Sequence, residues 1–169
     1  MAHLTAKNPY KSLEERINLF TQGASPTPTL YKILEVLFSK EEARLVSLLP
    51  IRPFTVEKAA KAWNVTPAVA EKMLDKLCEK ALLLDSCFQG VRQFVLPPPM
   101  AGFFEFALMR IRGDIDQKYL SELYFQYMNV EEDFVKDLFF ATETKLGRVF
   151  VQEPVLTSDQ ALHILDYEK

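Results

Sequence analysis

The sequence predicts a mainly helical α+β fold, and residues 54–96 carry most of that prediction. Two segments with helical apolar spacing are separated only by Asn64 and Val65, which leaves room for no more than a sharp turn. The next segment alternates as two short strands do, with Gln89 and Gly90 at the position of a hairpin turn. A helix, a tight turn, a second helix and a β-hairpin together predict a winged helix-turn-helix.

The two helices of this motif have recognisable starts and one distinct inner face. Thr55 is placed to cap the first helix, and Thr66 is placed to cap the second, with Pro67 at its first position. The apolar residues of the second helix share one face: Ala70, Met73, Leu74, Leu77 and Ala81. Its other face alternates acids with lysines: Glu71, Lys72, Asp75, Lys76, Glu79 and Lys80. We therefore expect a helix that is buried on one side and charged on the other.

Three helices are predicted before the motif, and they supply the layer against which it packs. Ser12 with Glu15 forms a capping box that predicts the start of a short amphipathic helix, which Gly23 is expected to end. A second helix with an apolar stripe opens at a proline. Ser39 with Glu42 forms another capping box and predicts the third helix.

Three consecutive prolines at 97–99 predict an extended segment and a domain boundary. We expect a winged-helix domain with its N-terminal helices at 1–96. A smaller helical extension with a short strand is expected at 97–169.

Within the extension, a phenylalanine-rich helix is expected to end at Gly113. Asp114 with Gln117 forms a capping box that predicts the next helix, at about 115–128. A further helix is predicted at about 130–140 and a strand at 149–151. A last helix begins at 157 and has only about three turns before the sequence stops, so we expect the parent protein to continue beyond Lys169.

Composition limits the possible partners and the compartment. The net charge of −3 and pI near 5.5 give no overall nucleic-acid signature. Residues 114–169 hold 12 acids and 5 bases, a balance of −7, so the rest of the chain must be +4. Cys78 and Cys87 are too few for a disulfide framework and suggest a reducing compartment. With no apolar run long enough for a signal peptide or membrane span, a cytoplasmic location and no membrane contact are expected.

No enzyme site is visible in the sequence. The only histidines, His3 and His163, lie near opposite ends of the chain, and the five glycines are scattered rather than gathered in a phosphate-binding loop. No catalytic residue, metal ligand or cofactor-binding residue is therefore predicted, and we expect that the chain is not an enzyme.

DNA binding is the function that this fold suggests first. Thr66 with Lys72 or Lys76 would lie near base edges and phosphates, and Gln89 with Arg92 on the wing would reach the backbone or minor groove. Residues 54–96 contain six bases and five acids, a net charge of only +1. Counterion release would then be small, so binding to a protein is the preferred interpretation.

Several runs of sequence resemble one protein family over nearly the whole chain. They are residues 30–34 (LYKIL), 48–50 (LLP), 96–106 (LPPPMAGFFEF), 112–116 (RGDID), 146–154 (LGRVFVQEP) and 165–168 (LDYE). These runs resemble the N-terminal winged-helix region of ferredoxin-like iron-sulfur proteins of bacteria and archaea. In that family the cysteines that carry 4Fe-4S clusters, and with them electron transfer, follow this region.

The resemblance implies no cofactor in the present chain. Cys78 and Cys87 do not have the close spacing of cluster ligands, so clusters are expected only beyond Lys169. The sequence as a whole predicts a non-catalytic domain that binds a macromolecular partner or the rest of its own chain, including a C-terminal iron-sulfur domain. A DNA-binding regulator of winged-helix type is the alternative.

Overall fold

The computed structural model describes residues 8–20, 23–131, 133, 134 and 136, and these form a mainly helical α+β fold. One antiparallel sheet of two strands is present in this part of the chain. The α-helices are α1 (Pro9–Ile17), α2 (Pro28–Leu37), α3 (Lys40–Ser47), α4 (Val56–Trp63), α5 (Pro67–Glu79), α6 (Phe104–Met109) and α7 (Gln117–Phe125). The strands are β1 (Leu84–Phe88) and β2 (Val91–Val95), and π-helical turns span Pro99–Phe103 and Gln126–Val130. The predicted fold class is confirmed.

The turn between α4 and α5 and the turn between the strands both use left-handed backbone. Asn64 has a φ of 55°, which redirects the chain from α4 into α5. Gln89 and Gly90 have φ values of 50° and 78°, the two successive positive angles of a type I′ hairpin turn. The hairpin therefore turns at the predicted residues. Thr55 and Thr66 occupy the predicted cap positions, but neither hydroxyl accepts a hydrogen bond from its helix.

The inner face of α5 is buried as predicted, except that the helix ends at Glu79, and Ala81 lies beyond it with a left-handed φ of 57°. Ala70, Leu74 and Leu77 lie in the core, and Met73 is half-buried against it. The hairpin is joined to the helices by Phe54, whose N–H and C=O both bond to Phe94, at N···O distances of 2.9 and 2.7 Å. This bridge gives β2 a partner on each side.

One N-terminal helix starts earlier than predicted, and the other predicted capping box is confirmed. Ser39 and Glu42 bond each other's backbone N–H groups at the start of α3. The box at Ser12 is wrong, because Asn8 caps α1 instead and accepts a hydrogen bond from Tyr10 N–H at 3.1 Å. Pro9 at the first helical position reinforces this earlier start, so Ser12 lies inside the helix.

The ends of two elements also differ from the prediction. Helix α1 stops at Ile17 rather than at Gly23, and the next N–H groups, of Leu19 and Phe20, bond to carbonyls three rather than four residues back. Helix α6 stops at Met109, and the extended backbone of Arg110 leads the chain away from the helix before Gly113 is reached.

The start of α7 and the proline segment differ as well. Asp116 caps α7 by accepting from Tyr119 N–H at 3.0 Å, because Asp114 is occupied by Arg112. Pro98 is extended as predicted, whereas Pro99 already begins a π-helical turn.

An aromatic cluster connects the segments that follow the wing to the N-terminal helices. The Phe103 and Phe38 rings meet edge to face, with 6.1 Å between their centroids. The Tyr127 hydroxyl donates a hydrogen bond to the Ser25 carbonyl at 2.9 Å. Thr29 of α2 donates to Glu131. Residues on both sides of 96/97 thus share one hydrophobic core.

Some predicted features fall outside the described residues. These are the strand at 149–151, the last helix, His3, His163 and most of the helix at 130–140, of which residues 133, 134 and 136 are described and helical. Among the helices that are described, none is long and apolar enough to cross a membrane.

Candidate partner surface of the helix-turn-helix and wing

Arg92 lies where the wing meets α5. In β2 it stands opposite Cys87, and it shares a sheet face with Phe94, two residues further along. Phe94 is fully buried, so this face of the hairpin points toward the helices. The Arg92 guanidinium lies over the Phe94 ring, 4.8 Å from its centroid, in a cation–π contact.

Three carboxylates surround that guanidinium, and we call them with Arg92 the Arg92 cluster. One terminal nitrogen, Nη1, lies 2.7 Å from Asp75 Oδ1 and 3.9 Å from Glu71 Oε1, both on α5. Nε lies 2.9 Å from Asp85 Oδ2 on β1. The hydrogen bonds with Asp85 and Asp75 raise the pKa of Arg92 above its ordinary value. The arginine stays charged and is tied to protein carboxylates.

The Arg92 cluster leaves this part of the surface negative. One guanidinium against three carboxylates gives a charge of −2. All four side chains are between about two-fifths and half exposed, so the excess charge faces solvent. A phosphate approaching the groove between α5 and the wing would meet carboxylates first, and its attraction to the protein would be reduced.

The other four predicted contact residues are exposed but do not form one basic surface with Arg92. Lys72 and Lys76 lie roughly 100° around α5 from Glu71 and Asp75, and within the described part of the chain neither has an ion pair. Thr66 is exposed at the N-terminus of α5, and Gln89 is exposed at the hairpin tip. The structure thus separates the two lysines from the wing arginine.

Exposed apolar side chains lie on the same two elements. Phe88 and Val91 face each other across the hairpin tip and are 61% and 49% exposed. Val69, in the first turn of α5, is 46% exposed. Apolar contact area of this kind is typical of protein interfaces and has little to offer a phosphate backbone.

Sequence reasoning named Arg92 but missed its partners. In the sequence each acid of α5 stands next to a lysine, whereas the hairpin register brings Arg92 to Asp75 and Asp85. A signal was present, since Glu71 and Asp75 are four residues apart and share one helix face. That spacing does not identify Arg92 as the partner, because the sequence does not show which face of α5 the wing covers.

The cysteines of the chain do not fit an iron-sulfur cluster. The chain has only two, and in the structure neither forms a disulfide. Burial raises the pKa of Cys78 to about 12, which disfavours the thiolate that a metal requires, while Cys87 is exposed. In the part of the chain that the structure describes, no group of three or more His, Cys, Asp or Glu side chains could hold a metal ion.

No family model matches the chain, and no curated protein or solved structure matches it either. The fold and the Arg92 cluster therefore carry the functional inference, together with the resemblance noted in the sequence.

Proposed function

We propose that this chain is a non-catalytic winged-helix domain that binds a protein, either a separate partner or the rest of its own chain. The observation that carries the proposal is the Arg92 cluster. Arg92 is the only base among the ten strand residues of the wing, and Asp75 and Asp85 already neutralise it. A wing that reads DNA needs its arginine for phosphates or the minor groove.

The parent protein in this proposal is a cytoplasmic iron-sulfur protein of the ferredoxin-like family that the sequence runs resemble. Its 4Fe-4S clusters and its electron transfer would reside in cysteine-rich segments after Lys169, since Cys78 and Cys87 do not provide a ligand set. The domain would then bind those segments or a redox partner, and it would not itself take part in electron transfer.

One observation favours the alternative of DNA binding. Lys72 and Lys76 are exposed on α5, which is the helix that enters the major groove in a helix-turn-helix complex. They remain available for phosphates, so a DNA-binding regulator is retained as the second candidate.

Anisotropy titration with labelled duplex DNA over a range of salt concentrations separates these two functions. We expect dissociation constants no tighter than about 10⁻⁴–10⁻⁶ M at physiological salt, the range of non-specific association. We also expect no sequence preference. Nanomolar, sequence-selective binding would contradict the protein-binding proposal.

A charge-matched pair of variants makes the titration specific for α5. Lys72→Glu with Lys76→Glu reverses the two α5 lysines, and Lys11→Glu with Lys32→Glu reverses two exposed lysines on α1 and α2. The two variants have the same net charge. If α5 reads DNA, only the first should lose binding, with the slope of log affinity against log salt falling by about two units. Equal losses would indicate non-specific attraction alone.

The iron-sulfur part of the proposal has a separate test. The chain of 169 residues, purified without oxygen, should be colourless and free of iron. We expect the reading frame to continue past Lys169 into closely spaced cysteines, and the longer protein should be brown. Stoichiometric iron and sulfide in the shorter chain, or a continuing frame without such cysteines, would contradict it.

A further inference from the structure

The outer edge of β1 has backbone groups that point away from the wing. Phe94 exchanges both of its hydrogen bonds with Phe54, on the side of β2 away from β1. Because hydrogen-bonding direction alternates along a strand, Gln93 and Val95 direct their groups toward β1, where they meet Ser86 and Leu84. The N–H and C=O groups of Asp85 and Cys87 must therefore point outward.

This edge is open. Asp85, Ser86, Cys87 and Phe88 are all exposed, and the described residues provide no second strand for β1. Natural edge strands are usually protected by lysine, proline, a bulge or a covering segment. Here β1 has neither lysine nor proline, and its single charged residue, Asp85, is ion-paired with Arg92.

We propose that the β1 outer edge pairs with the same edge of a second copy of this chain. The two β1 strands would run antiparallel about a two-fold axis at Ser86, which extends each hairpin into a four-stranded sheet across the dimer. This interface does not depend on whether the helix–wing surface binds protein or DNA.

The backbone pattern is self-complementary in this register. With the axis at Ser86, Asp85 faces Cys87 of the partner subunit, and Cys87 faces Asp85 of the partner subunit. These are the two residues whose groups point outward, so four backbone hydrogen bonds form. This register alone places all five residues of β1 opposite a β1 residue of the other copy.

The side chains are compatible with the same register. The half-buried Leu84 of each copy would stand opposite Phe88 of the partner subunit, so the dimer would contain this pair twice. The exposed Phe88 thereby gains an apolar neighbour. Asp85 meets the uncharged Cys87 of the partner subunit, so no carboxylate directly faces another. The outward backbone groups would accept any extended strand, whereas these side-chain pairs favour a second copy.

The contact area is small, so the dimer should be weak. Two five-residue strands bury far less than the roughly 1,200–2,000 Å² of a stable protein interface. We expect reversible dimerisation within the micromolar to millimolar range. Sedimentation velocity of the complete chain, under reducing conditions that prevent disulfide formation, measures it directly.

Opposite charges introduced at position 87 test the register. Cys87→Asp places two pairs of carboxylates face to face in the dimer, which should raise its dissociation constant by roughly 2- to 30-fold. Cys87→Lys places a lysine of each copy opposite Asp85 of the partner subunit, which should lower the dissociation constant by a similar factor. Each substitution also changes the monomer, since residue 87 stands opposite Arg92, which three carboxylates already surround. Thermal unfolding at low concentration therefore separates monomer stability from dimerisation.

Amide exchange provides a second readout. The Asp85 and Cys87 amides should become protected as concentration rises, whereas the Ser86 amide, bonded to Gln93 in each copy, should be protected throughout. A chain that stays monomeric up to millimolar concentration would overturn the proposal. A dimer that responds equally to both substitutions, or edge amides that are protected in the monomer by another part of the chain, would overturn it as well.

Discussion

The wing and the segment after it are attached to the helical core in different ways. The wing is attached at its base through the buried Phe54–Phe94 pair and, nearer its tip, through the half-exposed Arg92 cluster. The segment after residue 96 is attached through buried aromatic side chains, since Phe103 meets Phe38 and Tyr127 bonds to the Ser25 carbonyl. Within the segment, the centroid of the Phe104 ring lies within 6.0 Å of the ring centroids of Phe103, Tyr124, Tyr127 and Phe134.

This difference indicates how each part contributes to the fold. Exposed ion pairs are worth little because water screens them and ordering the side chains costs entropy. Buried aromatic side chains remove a large apolar area from water and gain favourable ring contacts in addition. We therefore expect the aromatic segment and the base of the wing at Phe94 to be part of the cooperative core, and the outer part of the wing around Arg92 to be adjustable at a low energetic cost.

The largest effect should follow from removing the central aromatic ring. Phe104 is 5% exposed, so Phe104→Ala should lower the free energy of unfolding by about 3–5 kcal/mol. Phe125→Ala is the matched control, because Phe125 is 63% exposed on the neighbouring helix α7. Chemical denaturation measures both, and similar losses would mean that the rings around Phe104 do not stabilise this segment.

The face of α5 supplies the next test. Leu77 is 2% exposed and Lys76 is exposed, so Leu77→Ala should cost about 2–5 kcal/mol while Lys76→Ala changes stability little. Because α5 buries one face in the core and pairs with Arg92 through Asp75 outside it, these two variants measure what the inner face contributes apart from the ion pair. Equal melting temperatures would show that the buried face has been wrongly assigned.

Features of the fold that depend on neighbouring residues could be predicted from the sequence. The Ser39–Glu42 box, the hairpin turn at Gln89 and Gly90, and the inner face of α5 each require only a few adjacent positions. Where two local signals competed, the prediction failed. Ser12 and Asn8 both suit a helix start, and Pro9 next to Asn8 decided between them.

The candidate site could be predicted only in part, because its chemistry depends on contacts between distant segments. Arg92 and Asp75 are far apart in sequence, and only the hairpin register together with the packing of α5 brings them to 2.7 Å. In the same way, Asp114 was assigned to a cap from its sequence context, yet it forms a two-point ion pair with Arg112.

The ion pair between Arg112 and Asp114 should contribute to stability by an amount that depends on pH and that is smaller than the contributions of Phe104 and Leu77. Arg112 is 5% exposed along its side chain and bonds both oxygens of Asp114, at 2.9 and 2.8 Å. The hydrogen bond from Arg112 lowers the pKa of Asp114 to about 2 from an ordinary value of 3.8. A lowered pKa stabilises the folded state above pH 4, and that contribution is lost as the pH falls from about 4 to about 2.

Asp114→Asn tests this contribution. At neutral pH this variant should lower the free energy of unfolding by about 1–3 kcal/mol, because the buried Arg112 guanidinium loses its charged partner. We expect a value toward the low end of that range, because Asp114 is half exposed. The difference in melting temperature between the natural chain and this variant should shrink between pH 5 and pH 2. A difference that is constant with pH would show that the carboxylate charge is not responsible.

The smallest effect is expected at Arg92, where salt dependence decides whether the two attachments really differ. Arg92→Gln should cost only about 0.2–1 kcal/mol, because the side chain and its partners are roughly two-fifths exposed. Screening shortens the range of charge interactions from about 10 Å at 0.1 M salt to about 3 Å at 1 M, so this cost should decrease as salt is added. The cost of Phe104→Ala should not decrease in the same way, since apolar burial does not depend on charge screening. If Arg92→Gln instead costs as much as Phe104→Ala at every salt concentration, the wing is held as firmly as the aromatic segment, and Arg92 is then a structural anchor rather than a neutralised part of a partner surface.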